Sequence, residues 1–387
     1  MTQVFIAGTG MTPFGRHEGR GLIDLAVAAG TAALDDAGLR AADVDALYLG
    51  NFLGQSLHQQ GVLASLVARR LGLGEVPTTA VEGACASAGI ALRHGAMTCR
   101  VGDARVALCI GAELLTTKPV EEVTGGLAEA MDQGTDGVSG LTFPGFFGLV
   151  AGAHAARYGT TREQMAAVPV KNRDHAVGND LAMFSKPVTV EDVLSARPIA
   201  DPLRLYDCSP ISDGAAAAVV TAGDPGTGRA WAIPILACEQ ASGPASLEQI
   251  DDLLSFPATR AASSRAYERA GVSPTDVDVV ELHDCFSIAE IVDSEDLGLL
   301  PRGEAAAAIA EGVTRHGTGG TVVNPSGGLL ARGHPVGATG LAQIHELVAQ
   351  LRGTASRQVD GAELAMAHNL GGCGATATVT VLARSPA

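Results

Sequence analysis

The sequence predicts an α/β protein with a mostly parallel sheet. Short apolar runs typical of buried strands alternate with longer segments in which apolar residues recur at helical spacing. Hydrophobic residues make up 47% of the chain, aromatic residues only 4%, and 49 residues are glycine. A core built from Ala, Val, Leu and Gly favours helices packed closely against parallel strands.

The first part of the chain alternates strands and helices. Strands are predicted at 4–8, at 44–50, immediately before Cys85, and at 104–111. Helices are predicted at 22–37, at 61–71, and from Cys85 to Met97. This order is typical of consecutive strand–helix–strand units.

The alternation stops between residues 116 and 205. Residues 124–140 are rich in Gly, Asp and Thr, and the run from Phe143 to Phe147 predicts an apolar turn. Because the segment is too long for an ordinary loop, we expect an inserted, partly helical subdomain over the sheet. Its residues 157–186 carry five basic and three acidic side chains, a net charge of +2 (5 − 3). Most of these charges belong to a solvated face, but this segment is the best candidate for docking a phosphate-bearing ligand.

The second part of the chain returns to the strand–helix pattern. Strands are predicted at 215–221, 233–238, 277–282, 364–367 and 375–383. Helices are predicted at 259–270 and from about 340 to 351. Since the two halves share one layout around the insertion, we infer an ancient duplication.

Composition excludes several functional classes. The formal net charge of −16 argues against a nucleic-acid or anionic-membrane surface. The sequence shows no basic-then-apolar leader and no apolar stretch of membrane-spanning length. Seven scattered cysteines, an odd number, do not form a disulfide framework. We expect a soluble protein of a reducing compartment.

Cys85 lies where an apolar run ends and a predicted helix of small residues begins. A cysteine in the first turn of a helix faces unpaired N–H groups and the positive end of the macrodipole, and both favour the thiolate. The context therefore indicates a nucleophilic cysteine. The alternative is a structural cysteine that fills a tight corner among Ala and Gly residues.

Three polar turns in the second half follow a strand or begin a helix. They are His283–Cys285, the turn with His334, and Gly371–Gly374. Such turns gather at the strand ends of an α/β sheet, where sites form. With Cys85 they would supply a nucleophile, a histidine to take its proton, a second thiol as acid or base, and N–H groups for an oxyanion. The spacing of these cysteines and histidines matches no usual zinc pattern, so we expect no metal.

Five motifs extend this pattern along the chain. They are Gly83-Ala84-Cys85-Ala86-Ser87, Ser212-Asp213-Gly214-Ala215-Ala216-Ala217, Glu281-Leu282-His283-Asp284-Cys285-Phe286, Asn324-Pro325-Ser326-Gly327-Gly328 and Gly333-His334-Pro335-Val336-Gly337-Ala338-Thr339-Gly340. In this order and spacing the whole chain resembles the thiolase superfamily, specifically the sterol-carrier-protein-type thiolases and their bacterial and archaeal relatives.

The resemblance implies a thiolase fold. In that fold two pseudo-symmetric βαβαβαββ halves pack as a five-layer αβαβα sandwich with an inserted loop domain. For this chain it implies an N-terminal half at 1–115 and 206–240, a loop domain at 116–205 that binds coenzyme A, and a C-terminal half at 241–387.

The resemblance also implies a role for each site residue. Cys85 would be the nucleophile that accepts the acyl group, and His334 would activate it. His334 and a water held by His283 would form one oxyanion hole. The backbone N–H groups of Cys85 and of the turn near Gly372 would form the second. Cys285 would move a proton to or from the atom being cleaved or joined.

Coenzyme A, or acyl-CoA, would be the substrate, so we expect no permanently bound cofactor. The stretch from Tyr158 through Asn172 resembles the part of the family's loop domain that holds coenzyme A. The candidate CoA-binding residues are Arg162, Lys171, Arg173 and Ser212.

The C-terminal turn departs from the pattern of many thiolases, which place the acid/base cysteine in a Cys-x-Gly turn. Here Asn369-Leu370-Gly371 occupies that position, and Cys373 lies four residues after Asn369. In the sterol-carrier-type group the cysteine of His-Asp-Cys-Phe takes over the role, and this chain has it as Cys285. We therefore expect Cys373 to be structural.

The implied reaction is thiolytic cleavage of a 3-ketoacyl-CoA, or the reverse Claisen condensation, through an acyl-Cys85 intermediate. A second interpretation is a thiolase-fold retro-aldolase that acts on a CoA-linked side chain with a small OB-fold partner. Relatives with that activity lose the cysteines that this chain keeps. A third is a non-catalytic acyl-CoA-binding scaffold. We expect a cytoplasmic homodimer or dimer of dimers with no nucleic-acid or membrane partner.

Overall fold

Helices and strands alternate through residues 2–223 and 232–384, which a computed structural model describes. The strands are β1 (Val4–Met11), β2 (Ala46–Gly50), β3 (Thr78–Val81), β4 (Val106–Glu113), β5 (Pro198–Ala200), β6 (Leu203–Arg204), β7 (Gly214–Ala222), β8 (Ile233–Ser242), β9 (Val279–Glu281), β10 (Val322–Val323), β11 (Leu364–Gly371) and β12 (Thr376–Ala383). The helices are α1 (Leu22–Ala37), α2 (Gly54–His58), α3 (Leu63–Leu71), α4 (Ser87–Val101), α5 (Val120–Ala128), α6 (Asp136–Ser139), α7 (Phe143–Tyr158), α8 (Arg162–His175), α9 (Val190–Ser195), α10 (Pro257–Ala270), α11 (Ser287–Asp296), α12 (Ala305–Ala310), α13 (Gly328–Arg332) and α14 (Thr339–Arg352). Residues 1, 224–231 and 385–387 of the expected domains lie outside the described residues.

Ten strands form one mixed sheet in the order β10-β9-β11-β12-β8-β1-β7-β4-β2-β3. The outer strands of each half are parallel, whereas β11–β12, β12–β8, β8–β1, β1–β7 and β7–β4 are antiparallel. The expectation of a mostly parallel sheet is therefore wrong. A short turn joins β11 to β12 where a parallel pair would need a crossover helix, and β7 returns along β4 only after the long insertion.

The two halves of the sheet repeat one topology. Strands β1, β2, β3, β4 and β7 take the same relative places as β8, β9, β10, β11 and β12. The halves join where β1 pairs with β8, at Phe5 opposite Pro234 and Ile6 opposite Ile233. This internal symmetry is the βαβαβαββ repeat that the thiolase fold implies.

Helices α4 and α14 form the layer between the two halves. Helix α4 packs on β2, β4, β7 and β8, and α14 packs on β11, β9, β7 and β1. Helices α1 and α3 cover the outer side of the N-terminal half, and α10 covers the outer side of the other. Apolar side chains of the two central helices, among them Leu92 and Leu341, share one buried core with strands of both halves. The result is the expected five-layer sandwich.

Glycines allow the start of α4 to lie against α14 and β2. A Cβ added at Gly340 in α14 would meet the backbone N of Gly89 in α4, and one added at Gly50 in β2 would meet the backbone of Ser87, the first residue of α4. The segments that precede both helices are therefore brought to one place.

The inserted segment contains α5 to α9 and the β5–β6 hairpin, so it is partly helical as expected. The apolar turn expected from Phe143 to Phe147 is instead the start of α7. Thr142 caps this helix by accepting a hydrogen bond from the backbone N–H of Gly145, and a proline lies in its first turn. Phe147 stacks on Phe286 with ring centroids 4.5 Å apart, which attaches the insertion to the C-terminal half. The domain boundaries stay a prediction.

Among the described residues, the helices do not combine the length and apolar character that crossing a membrane requires.

Replacing Gly8 with Ala is expected to destabilise the fold. Gly8 lies in β1 against α1, and an added Cβ would meet the backbone of Ala33 and Ala37. Overpacking of this kind costs about 1–3 kcal/mol of unfolding free energy. The control is Gly152→Ala in α7, where an added Cβ meets nothing within 4 Å and helix propensity favours the variant. Urea midpoints measure both changes, and a Gly8→Ala protein as stable as the control would contradict the packing.

Candidate active site

Four side chains from different parts of the chain line one cavity. Cys85 lies between β3 and α4, His283 and Cys285 lie between β9 and α11, and His334 precedes α14. The cavity has a volume of about 230 Å³. Gly372, whose turn was predicted to supply an oxyanion-hole N–H group, also lines it. Its other walls are mainly apolar and include Leu115, Val120, Leu127, Phe143, Ile199, Ile211, Phe286 and Val336.

The nucleophile candidate and both histidines lie near one another. Cys85 Sγ, a ring nitrogen of His283 and a ring nitrogen of His334 all lie within 4.8 Å of one another. The two imidazole rings are nearly perpendicular, at 81°, with centroids 5.0 Å apart. One sulfur and two nitrogen atoms this close together are a possible ligand set for a soft metal ion. The expectation of no metal stays a prediction.

Cys85 lies in a single 3₁₀ turn, Ala84–Ala86, and not in the helix itself, which begins at Ser87. Hydrogen bonds fix this turn on both sides. The Ser87 hydroxyl accepts from Gly83 N and donates to Ala84 O, and a Glu82 carboxylate oxygen accepts from Ala84 N. The sulfur is thereby held at the end of the β3–α4 connection.

Burial outweighs the helix terminus in the electrostatics of Cys85. Loss of solvent raises the pKa of its thiol to about 12, and the charge of Glu113 acts in the same direction. The backbone N–H groups of Gly372 and of Cys85 lie toward the sulfur and oppose this rise. The sequence led us to expect that the helix start would favour a thiolate at Cys85. The resting group is instead a thiol, because desolvation penalises its charged form more than these N–H groups favour it.

His334 is held as a neutral base. Its backbone N–H donates to Ser212 Oγ at 2.7 Å, and its ring Nδ1 lies 2.7 Å from Thr339 Oγ1. Thr339 donates its hydroxyl proton to the Pro335 carbonyl, so its oxygen accepts the proton of His334 Nδ1. Burial, then the charge of Arg332, lowers the pKa of His334 to about 3. With one ring proton, on Nδ1, His334 keeps an unprotonated Nε2.

The His283–Cys285 loop is held by a buried polar network. The Asp284 carboxylate accepts hydrogen bonds from the backbone N–H groups of Leu329 and Leu330, in the first turn of α13, and from Asn172 Nδ2. The Cys285 carbonyl accepts from Ser209 N at 2.9 Å. These bonds set the position of both flanking side chains.

His283 and Cys285 are both uncharged at rest. Asn369 Nδ2 lies 3.0 Å from His283 Nδ1. Burial lowers the pKa of His283 well below its usual range. It raises the pKa of Cys285 well above its usual range, and the nearby Cys85 adds to that rise. The loop therefore presents a neutral imidazole and a thiol to the cavity.

The predicted CoA-binding residues have different surroundings. Lys171 is buried, with Nζ 2.7 Å from a Glu290 carboxylate oxygen and 2.9 Å from the Val323 carbonyl. Ser212 is buried and holds the backbone of His334. Both side chains are therefore buried and bind other parts of the protein. The expectation that Lys171 and Ser212 bind coenzyme A is corrected for this reason. Arg162 pairs with Asp207 at 3.0 Å. Arg173 lines a second groove beside the cavity.

Sequence patterns alone missed Glu113, Thr339 and Asn369. Glu113 is fully buried and accepts hydrogen bonds from the backbone N–H groups of Gly337 and Phe52, which ties the turn after His334 to the end of β4. Burial raises the pKa of its carboxyl to about 7. A polar residue that ends a wholly apolar strand is the pattern that could have identified Glu113.

A buried thiol, a neutral imidazole beside it and backbone N–H groups near the sulfur suit an enzyme that transfers acyl groups through a cysteine. Residues 4–224 match the model of the thiolase N-terminal domain, and residues 240–384 match the thiolase C-terminal domain-like model. The chain belongs to the thiolase family.

The relatives agree with this assignment. An acetyl-CoA acetyltransferase of Methanothermobacter thermautotrophicus is 44% identical over 99% of this chain and 100% of that protein. Sterol carrier protein 2 of Oryctolagus cuniculus is 38% identical over 98% of this chain and 72% of that protein. Among solved structures, the Ltp2-ChsH2(DUF35) aldolase is similar with a TM-score of 0.85 and 28% identity, over 99% of this chain and 98% of that one.

The pKa of Cys85 predicts how its alkylation depends on pH. Because burial raises that pKa to about 12, the thiolate fraction should grow about tenfold per pH unit throughout pH 7–10. Iodoacetamide labelling followed by peptide mapping measures the rate at Cys85 at each pH. A rate that levels off below pH 8 would indicate a preformed thiolate–imidazolium pair and contradict the neutral pair.

Proposed function

We propose that this protein is a thiolase that cleaves 3-ketoacyl-CoA by thiolysis, or runs the reverse Claisen condensation, through an acyl-Cys85 intermediate. The observation that carries the proposal is the single cavity in which the Cys85 thiol, the His334 imidazole and the Cys285 thiol meet. The acetyl-CoA acetyltransferase relative supports the same chemistry.

In the first half-reaction, Cys85 attacks the 3-keto carbon while His334 Nε2 takes its proton. The C2–C3 bond then breaks, and the electron pair goes to C2 of the departing acetyl-CoA. The Cys285 thiol protonates that carbon and becomes a thiolate. An acyl group is left on Cys85.

In the second half-reaction, the Cys285 thiolate takes the proton of an incoming coenzyme A. The CoA sulfur attacks the acyl-Cys85 carbonyl, and Cys85 leaves and regains its proton from His334. The backbone N–H groups of Cys85 and Gly372 stabilise one oxyanion, and His334, with a water held by His283, stabilises the other. In such sites each donor contributes about 10²–10³ in rate.

Coenzyme A would enter through the inserted segment. A groove of about 890 Å³ shares residues 208–211 with the catalytic cavity. Arg173 and Lys186 line it, with the guanidinium of Arg173 held 4.0 Å from the Phe184 ring centroid. Two cations suit a phosphate-bearing ligand. We therefore assign CoA binding to 116–205, between an N-terminal half (1–115 and 206–240) and a C-terminal half (241–387).

A second copy would complete the sheet edge next to Cys85. In the described residues β3 ends the sheet and has a neighbour on one side only. An unpaired strand edge of this kind is commonly covered by another chain. We propose a homodimer or a dimer of dimers in the cytoplasm, where the scattered cysteines stay reduced. The aldolase neighbour is named together with a DUF35 protein, so a small partner of that kind is also proposed.

The retro-aldolase and the non-catalytic scaffold are less favoured. Neither needs a nucleophilic thiol beside a second thiol, and here Cys85 and Cys285 line the same cavity. The acyltransferase uses both.

Alanine variants of the cysteines test the assigned roles. Cys85→Ala should abolish turnover, because no acyl-enzyme can form. Cys285→Ala should still release one equivalent of CoA from acetyl-CoA, since His334 activates Cys85 independently. Its thiolysis rate should fall by about 10²–10⁴-fold, the usual contribution of a positioned acid or base.

Cys373→Ala is the matched control. Cys373 is buried, and its replacement should change stability more than rate. Steady-state thiolysis and the CoA-release burst measure all three variants. An inactive Cys373→Ala enzyme beside an active Cys285→Ala enzyme would move the acid/base role to Cys373.

Lys186→Ala should weaken CoA binding without affecting the chemistry. Lys186 is exposed in the groove, and an exposed ion pair contributes about 0.2–1 kcal/mol. We expect the KM for CoA to rise by up to about fivefold at unchanged kcat, with a smaller effect at high salt. Arg265→Ala, outside the groove, should leave KM unchanged. Equal KM values for the two variants would contradict this route for CoA.

A further inference from the structure

Two imidazoles, His283 and His334, share the cavity with Cys85. The mechanism needs one of them to accept a proton and the other to donate a hydrogen bond. A ring nitrogen that takes the Cys85 proton must be bare, whereas one that supports an oxyanion must carry a proton. Each ring is neutral and has one proton to place. For His334 the hydrogen bond with Thr339 places that proton on Nδ1. For His283 the deciding contact is with Asn369.

The amide of Asn369 is almost completely buried, and its Nδ2 lies 3.0 Å from His283 Nδ1. An amide NH₂ donates and cannot accept, so Nδ1 of His283 must be the acceptor. The oxygen of this amide, Oδ1, lies beside Gly89 and Gly340, in the first turns of α4 and α14, and it is buried without a hydrogen-bond partner. The orientation of the amide therefore rests on the contact of its Nδ2 with His283 Nδ1.

With Nδ1 accepting, the single proton of His283 is on Nε2. The ring stays neutral because it is buried and because His334 and His368 lie nearby, and all three effects lower its pKa. A protonated Nε2 can donate to a water or to an oxyanion, but it cannot compete with His334 for the Cys85 proton.

We propose that Asn369 is a positioning residue that fixes His283 as an Nε2–H donor, so that the two neighbouring imidazoles hold opposite tautomers. The effect of Asn369 on thiolysis rests on the proposed function, but the tautomer of His283 does not. Asn369 touches no reacting atom and acts through His283 alone.

The tautomers can be observed directly in the resting enzyme. The chain has ten histidines, so selective ¹⁵N-histidine labelling gives a tractable long-range ¹H–¹⁵N spectrum, and His283→Gln assigns the signal. We expect His283 protonated on Nε2 and His334 protonated on Nδ1 at pH 8. A His283 signal with the proton on Nδ1 would overturn the proposal, whatever the activity of the enzyme.

Asn369→Asp tests the consequence for turnover. A carboxylate can only accept, so it draws the His283 proton to Nδ1 and leaves Nε2 bare at high pH. Loss of one donor should lower thiolysis by about 10²-fold. At lower pH the carboxylate favours a doubly protonated ring, which again has an Nε2–H, so the ratio of variant to wild-type rate should rise.

The ratio of variant to wild-type rate isolates the effect of residue 369 on His283. The other groups that face His283, namely His334, His368 and Cys85, are present in both enzymes. The control is Thr378→Val, at the position paired with Asn369 across β11 and β12, which should give a ratio independent of pH. A pH-independent ratio for Asn369→Asp as well would show a merely structural role and overturn the proposal. An enzyme with the expected tautomers but without thiolysis would refute the proposed function and leave this inference standing.

Discussion

The contact between the first turns of α4 and α14 is the constraint on which the site depends. It requires glycine at position 340, because a Cβ there would meet the backbone N of Gly89 in α4. Glycine is required at position 89 for a different reason, since a Cβ there would meet the Thr378 side chain of β12. The turn with Cys85 immediately precedes α4, and the turn with His334 immediately precedes α14. One close packing of small residues, in the helix layer between the two halves, thus brings a thiol from one half to an imidazole from the other.

Burial sets the protonation states of the cysteines and histidines that this packing brings together. In a cavity with little water the charged form of every group is penalised, so Cys85 and Cys285 stay thiols and His283 and His334 stay neutral. Hydrogen bonds can then place each single proton. The supporting residues are polar side chains on which the function of the cavity depends. The partners of Asn369, Glu113 and Asp284 lie in distant parts of the chain, whereas those of Thr339 lie in the turn just before its own helix.

The residues that line the cavity and most helices and strands could be predicted from the sequence, because a local pattern carries each of them. Helix α1 was predicted with its observed bounds from its periodicity and the glycine that follows. The prediction of a mostly parallel sheet was wrong, because the direction of strand pairing depends on the connections between strands, which apolar runs do not show. The surroundings of Lys171 were missed because Glu290, its buried partner, is 119 positions away in sequence (290 − 171). Long-range partners of this kind have no local pattern.

The central claim is that the packed halves create a cysteine that accepts an acyl group. The most direct measurement is intact-mass analysis of the wild-type protein after incubation with acetyl-CoA, followed by peptide mapping and then by addition of free CoA. We predict one acetyl group per chain, on Cys85, that is removed by CoA. An unmodified protein, or an acetyl group on Cys285 or Cys373, would contradict the account.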